Sequence, residues 1–347
     1  MSTNSFVQFF FQNNIFIIIF LLNIILFFFH EKISSIFKVY DLPSTERKIH
    51  KIPVPSIGGF YFLINFILLI FVNYNFELEI ILNFTRREIL SITLILIAIF
   101  IFGFVDDKYD INANQNLIIN LSILYIFVSF NEVIVIDVLR FSFLQNDVYL
   151  GNFSVFFTVL SILLFSNAMN MFDGSNCQAL TYFIFISLLF VIINPDFKFL
   201  LFLLPVYTIL YFLNFSNKLF LGNSGIYSIS FLFSVFFIKN YIAFKFQADE
   251  IFLLMIIPGL ELIRLFFFRV FSGKHPFKGD KNHLHHLMIE LFGTNKTLFF
   301  LTTLILTPIV FFKVNIPILV SIILIVIGYS CLVFFLKVSL KKKLTSN

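Results

Sequence analysis

The chain has 347 residues, of which 59% are hydrophobic and 12% charged, with a net charge of +5. So little charge spread over repeated apolar runs of bilayer-spanning length excludes an ordinary soluble protein, and no polar stretch is long enough to build a separate soluble domain. The composition therefore predicts an all-α integral membrane protein: a polytopic bundle of about ten to eleven transmembrane helices forming one domain over 1–347.

Eleven apolar runs follow one another, near 7–29, 57–74, 88–105, 116–136, 153–170, 178–194, 198–214, 223–239, 250–270, 297–313 and 315–336. The first lacks a basic leader and is too long for a signal-peptide core, so it reads as a helix. Phe occurs 56 times and Trp not at all, a bias that A/T-rich codons produce, and the Phe stripes read as lipid-facing surface. Cys177 and Cys331 lie far apart and suggest no disulfide framework. If the loops 30–56, 106–115, 171–177, 215–222 and 271–296 share a side with the tail, that side collects most of the Lys and Arg, which places these loops on the cytoplasmic side, with the N-terminus outside and the C-terminus inside.

Polar motifs collect on that same side. Arg47-Lys48-Ile-His50 leads into Pro53-Val-Pro55 and Gly58-Gly59, a basic and conformationally shaped loop. Asp106 and Asp107 end the third run, where carboxylates oppose the C-terminal helix dipole and suit a hard cation such as Mg²⁺. Asn167, Asn170 and Asp173 share a helix face ahead of Gly174, a spacing that suits a nucleotide or hydrated metal as well as a helix–helix hydrogen-bond seam. Gly222-Asn223-Ser224-Gly225 opens a helix, either as an anion nest or as an ordinary turn and cap. Asp280-Lys281-Asn-His283-Leu-His285-His286 lacks the separated ligand pairs of zinc sites and fits a diphosphate better, beside Lys278 and Lys281.

In this order and with these spacings, the motifs from Arg47 to His286 resemble those of the polyprenyl-phosphate N-acetylhexosamine-1-phosphate transferases, the membrane glycosyl transferase group 4. The His-Leu-His-His form resembles the undecaprenyl-phosphate N-acetylglucosamine-1-phosphate branch. The resemblance implies transfer of a sugar-1-phosphate from a UDP-sugar to undecaprenyl phosphate with release of UMP, as the first membrane step of an O-antigen, capsule or related glycan. It implies Mg²⁺, with Mn²⁺ as a substitute, in a multi-pass protein of the bacterial cytoplasmic membrane with its active site on the cytoplasmic face. No nucleic acid is expected as a partner, and a homodimer is compatible with it. Carried over residue by residue, the catalytic group is Asp106, Asp107, Asp173, His283 and His285. Substrate contacts fall to Lys48, His50, Asn167, Asn170, Asn176, Gly222, Ser224, Lys281 and His286, and the metal to Asp107, Asp173 and Asn223. The chain departs from the pattern where it carries Asn176 and Asn223 in place of aspartates, Glu261 for Asp, Lys281 for Arg, and Asn116 and Asn120 for Lys and Gln. An amide at 223 brings no charge to a Mg²⁺ site, which leaves a weakened, binding-only relative as the alternative to an active transferase.

Overall fold

The computed structural model describes residues 3–43, 50–75, 84–193, 195–276 and 280–346. In chain order its elements are α1 (Thr3–Phe28), α2 (His30–Phe37), β1 (Tyr40–Asp41), β2 (Val54–Pro55), α3 (Gly58–Asn75), α4 (Arg86–Tyr109) and α5 (Ala113–Ser129). There follow β3 (Val138–Leu139), β4 (Val148–Tyr149), α6 (Ser154–Phe172), α7 (Gln178–Ile193), α8 (Leu204–Phe215), α9 (Gly222–Ile242) and α10 (Ala248–Leu254). The chain closes with α11 (Ile256–Phe271), α12 (Leu284–Phe292), α13 (Thr294–Lys313) and α14 (Ile318–Ser346). The all-α membrane architecture expected from composition is the one adopted. Among the described residues six helices are long and apolar enough to cross a bilayer, eight if each of two bent pairs counts as one span, and three shorter apolar helices accompany them.

Two compact units form, each assembled from separated stretches: Met1–Ile111 with Leu180–Ile229, and Asn112–Ala179 with Ser230–Asn347. In the first unit, α1 packs on α3 and α8, and α3 packs on α4 and α8. Buried Asn23 of α1 and Asn65 of α3 exchange amide hydrogen bonds of 2.7 and 3.2 Å, a polar clamp of the kind that joins helices where lipid offers no hydrophobic drive. The start of α4 follows from the sequence Thr85-Arg-Arg-Glu88, a capping box in which Glu88 N–H donates to the Thr85 hydroxyl and the Glu88 carboxylate accepts from Thr85 N–H.

The polar stretch after α1 is more ordered than its loop-like composition predicts. It contains α2, set at 69° to the preceding helix, and an antiparallel ribbon pairing Tyr40 with Pro55 and Asp41 with Val54. Backbone bonds then tie this ribbon to the approach of α9: Phe220 N–H donates to Pro55 O at 2.8 Å, Gly58 N–H to Phe220 O at 2.9 Å and Gly59 N–H to Leu221 O at 3.1 Å.

In the second unit, α6 packs against α5 and α11, and α12 against α13 and α14. Leu284, Leu287 and Met288 bury the inner face of α12 against Leu301 of α13 and Tyr329, Val333 and Leu336 of α14. This apolar seat fixes the short helix that carries the histidines. The ninth predicted run, expected as one span over 250–270, is broken: α10 and α11 meet at 78° across Met255. Pro258 explains the break, because its ring and missing N–H disrupt the turn containing the Leu254 carbonyl, while the first turn of a new helix accepts it.

Candidate active site

At the C-terminal end of α4, Asp106 and Asp107 meet the first turn of α9. Both oxygens of Asp107 are engaged by backbone donors, Asn223 N–H at 2.7 Å and Ser224 N–H at 3.1 Å. The carboxylate that opposes the dipole of its own helix thus complements the N-terminal dipole of another. The two N–H groups that the Gly-Asn-Ser-Gly sequence offers to an incoming phosphate are occupied by a side chain of the same chain. Gly222 makes this contact sterically feasible: its φ is +71° and an added Cβ would lie 2.5 Å from an Asp107 oxygen and 2.7 Å from Ser56 Oγ. Asp106 is buried, accepts from Ile111 N–H at 3.0 Å, and receives the Asn223 side-chain amide at 2.8 Å.

His50 lies on the neighbouring ribbon, its Nε2 2.9 Å from Asp41 Oδ2 and its Nδ1 2.8 Å from Ile52 O. With its ring edge toward Phe220, this imidazole fastens the loop. Lys48 and Arg47 lie outside the described residues, as does Lys278 of the histidine loop.

In the second unit the histidines sit at the N-terminus of α12. Arg269, fully buried, gathers the loop that leads to them: Nε donates to Asp280 Oδ2 at 2.9 Å, Nη1 to Pro276 O at 2.8 Å, and Nη2 faces His283 Nε2 at 3.3 Å. A guanidinium can only donate, so His283 Nε2 accepts and its proton belongs on Nδ1, which lies 3.5 Å from Glu261 Oε1 without forming a hydrogen bond. Buried Glu261 is itself held by bidentate Arg264 at 2.7 and 2.9 Å, by the Tyr329 hydroxyl and by Leu284 N–H at 2.8 Å. A carboxylate on α11 thereby caps the histidine helix.

Electrostatics follow from this enclosure. Burial pushes the His283 imidazole down to about 4, with Arg269 and His286 reinforcing the shift against the pull of Glu261 and Asp280. His285 lies well below the usual range for the same first reason, aided by the charges of His286, His283 and Arg264. Burial opposes ionisation of Asp280, but the Arg269 hydrogen bond and the Asn282 N–H outweigh it and keep the carboxyl below its ordinary value. Both buried imidazoles are therefore neutral near pH 7, and His283 Nδ1 and His285 Nε2 make no hydrogen bond. The His285 ring presses on the turn after α6, where a Cβ at Gly174 would come 1.8 Å from its Cε1. Only glycine fits between Asp173 and that ring.

Residues 89–240, which contain the aspartate pair, the Asn167–Asp173 segment and the Gly222–Gly225 turn, match the model of glycosyl transferase family 4. Over this stretch the chain is similar to that family. It is 27% identical over 263 residues to a probable undecaprenyl-phosphate N-acetylglucosaminyl 1-phosphate transferase of Bacillus subtilis, covering 72% of this chain and 69% of the relative. It is 23% identical over 289 residues to the undecaprenyl-phosphate alpha-N-acetylglucosaminyl 1-phosphate transferases of Escherichia coli K12 and Shigella flexneri, covering 80% of this chain and 76% of each.

Within the chain the sequence-predicted residues gather in two sets. Asp106, Asp107, Gly222, Asn223 and Ser224 come together in the first unit, with His50 on the adjoining ribbon. In the second, Gly174 abuts the His285 ring, which packs with His283 and His286, while Asn167, Asn170, Asp173 and Asn176 are partly buried and Lys281 is exposed. Asn120 donates to Asn116 along α5 at 2.9 Å, which pairs these two departures from the family pattern with each other. Arg264 and Tyr329 escape the motif reading, and Arg269 enters it only as a cytoplasmic-side charge. A signal for the arginines was present: Glu261, Arg264 and Arg269 are ionisable residues inside an apolar run, where charges need partners. Tyr329 had none, since one tyrosine in an apolar helix is unremarkable.

Proposed function

We propose that the chain transfers N-acetylhexosamine 1-phosphate from a UDP-sugar to undecaprenyl phosphate in the bacterial cytoplasmic membrane, starting a cell-envelope glycan. The observation that carries this reading is the family match across the stretch holding the aspartate pair, with relatives named for that reaction over most of their length. In the reaction an oxygen of the lipid phosphate bonds to the sugar-bearing phosphorus of the UDP-sugar. The bond from that phosphorus to the bridging oxygen breaks, and UMP leaves with the electron pair. The protein's work is then placement and charge neutralisation. A lipid phosphate with a second pKa near ~6 is already largely ionised at neutral pH, so Asp106 acts mainly by orienting it and only secondarily as a base. Neutral His283 and His285 offer ring N–H groups to diphosphate or sugar oxygens, and Asp173 and Asn170 face the nucleotide. The cytoplasmic face is the reading that the Lys and Arg distribution supports.

Mg²⁺ takes oxygen ligands, and Asp106, Asp107 and the Asn223 amide supply oxygens at the end of α4 and the start of α9. The donors fit in kind but are short of charge: among the described residues no three His, Cys, Asp or Glu side chains form a metal-holding group. Asp106 and Asn223 are the residues that would hold the cation in the first unit, with Asp107 engaged on α9. When bound, Mg²⁺ or Mn²⁺ supplies neutralisation of the diphosphate charge.

The test is UMP release from UDP-N-acetylglucosamine and related UDP-sugars by the purified chain with undecaprenyl phosphate. Release requiring both substrates, lost in Asp107→Ala and increased in Asn223→Asp, is expected. Retained nucleotide binding with no release under any divalent cation would sink the transferase reading.

A further inference from the structure

Between α11 and α14 runs a groove of about 350 Å³ with an apolar wall made by Leu260, Ile263, Val333 and Phe334. Two charged side chains line it, Arg264 and Lys337, and both are cationic. Arg264 spends most of its donors inward: Nε reaches Glu261 and the Tyr329 hydroxyl, and Nη2 reaches Glu261 and the Asn282 carbonyl. Its Nη1 is buried and has no hydrogen-bond partner. A buried donor of a charged group left unsatisfied forfeits its hydration without compensation, so such an atom calls for an acceptor. Lys337 stands exposed two helical turns along from Tyr329, its Nζ over the Phe268 ring, and Lys341, Lys342 and Lys343 continue the positive charge on the same helix.

The geometry points to a seat for an anionic phospholipid of the bilayer: its phosphate accepts from Arg264 Nη1 and Lys337 Nζ while one acyl chain lies along the apolar wall. Basic pockets between membrane helices recognise anionic headgroups by this chemistry, and a zwitterionic lipid brings a compensating cation that the groove repels. An occupied seat also bears on the histidines. Arg264 holds the Asn282 carbonyl and Glu261, and Glu261 holds the first N–H of α12, so a phosphate that fixes the guanidinium fixes the base of the histidine helix. The binding claim stands without the transferase reading.

It is tested on the full-length chain in phosphatidylcholine nanodiscs with and without phosphatidylglycerol, by native mass spectrometry and thermal unfolding. The wild type is expected to retain phosphatidylglycerol over phosphatidylcholine and to unfold at higher temperature when it is present. Lys337→Glu and groove-filling Ile263→Trp should each lower retention about fivefold or more, with Lys337→Arg restoring it. Equal retention of the two lipids, unchanged retention in both Lys337→Glu and Ile263→Trp, or displacement of phosphatidylglycerol by stoichiometric undecaprenyl phosphate would overturn the assignment, the last by giving the groove to the substrate's own tail.

Discussion

The aspartate cluster and the histidine cluster solve the same problem, holding ionisable groups in a protein with few charges, by opposite means. At the end of α4 the neutralising donors for Asp107 belong to the backbone of α9, and glycine at 222 admits the contact. Around α12 the donors are side chains, Arg264 and Arg269, committed to Glu261 and Asp280. Backbone donors cannot be mutated away, so the first cluster tolerates change among its neighbours and depends on local chain geometry. The second is a chain of ion pairs in which each member exposes another when removed.

That contrast fixes the order of expected effects. Glu261→Ala should be the most damaging, because it leaves Arg264 buried without its carboxylate and removes the cap from α12; a loss of about 3–5 kcal/mol is expected, read by thermal unfolding in detergent. An effect as small as an exposed ion pair would break the comparison. Acidification should act next, and on the histidine side. His283 is held down at about 4 in the fold against about 6.5 when unfolded. Above pH 6.5 both forms are neutral and this contribution is fully present. As pH falls through 6.5 toward 4 the unfolded chain takes up the proton first, and by pH 5 about 2 kcal/mol should be lost. His283→Asn should flatten that part of the pH–stability curve; an unchanged slope would remove His283 as its origin. Smallest in stability is Asp107→Ala, at about 1 kcal/mol, the cost of one helix cap. A near-native unfolding temperature accompanied by lost UMP release would separate the two clusters most sharply.

The sequence announces these clusters unequally. Asp106-Asp107, Asn167 to Asp173 and His283 to His286 are legible because their spacings along the chain are themselves the signal. Eleven apolar runs locate the helices for the same reason. What completes each cluster is long-range: Asp107 reaches α9 across 116 residues and Tyr329 reaches Glu261 across 68. No local pattern encodes a helix cap supplied from another helix, and a serine or phosphate would have suited the same N–H groups. The break at Met255 was foreshadowed by Pro258, but hydropathy, which averages over the window, reads straight through it.

Gly174 ties two distant codons together. The space that would receive its side chain is filled by the imidazole of residue 285, so position 174 can enlarge only if position 285 has first become smaller, and 285 can shrink only by giving up its ring. In a chain with 56 phenylalanines, such a pair is locked by volume alone. Neither partner can be exchanged gradually, and a search for functional variants of this protein should treat the two as a single inherited unit.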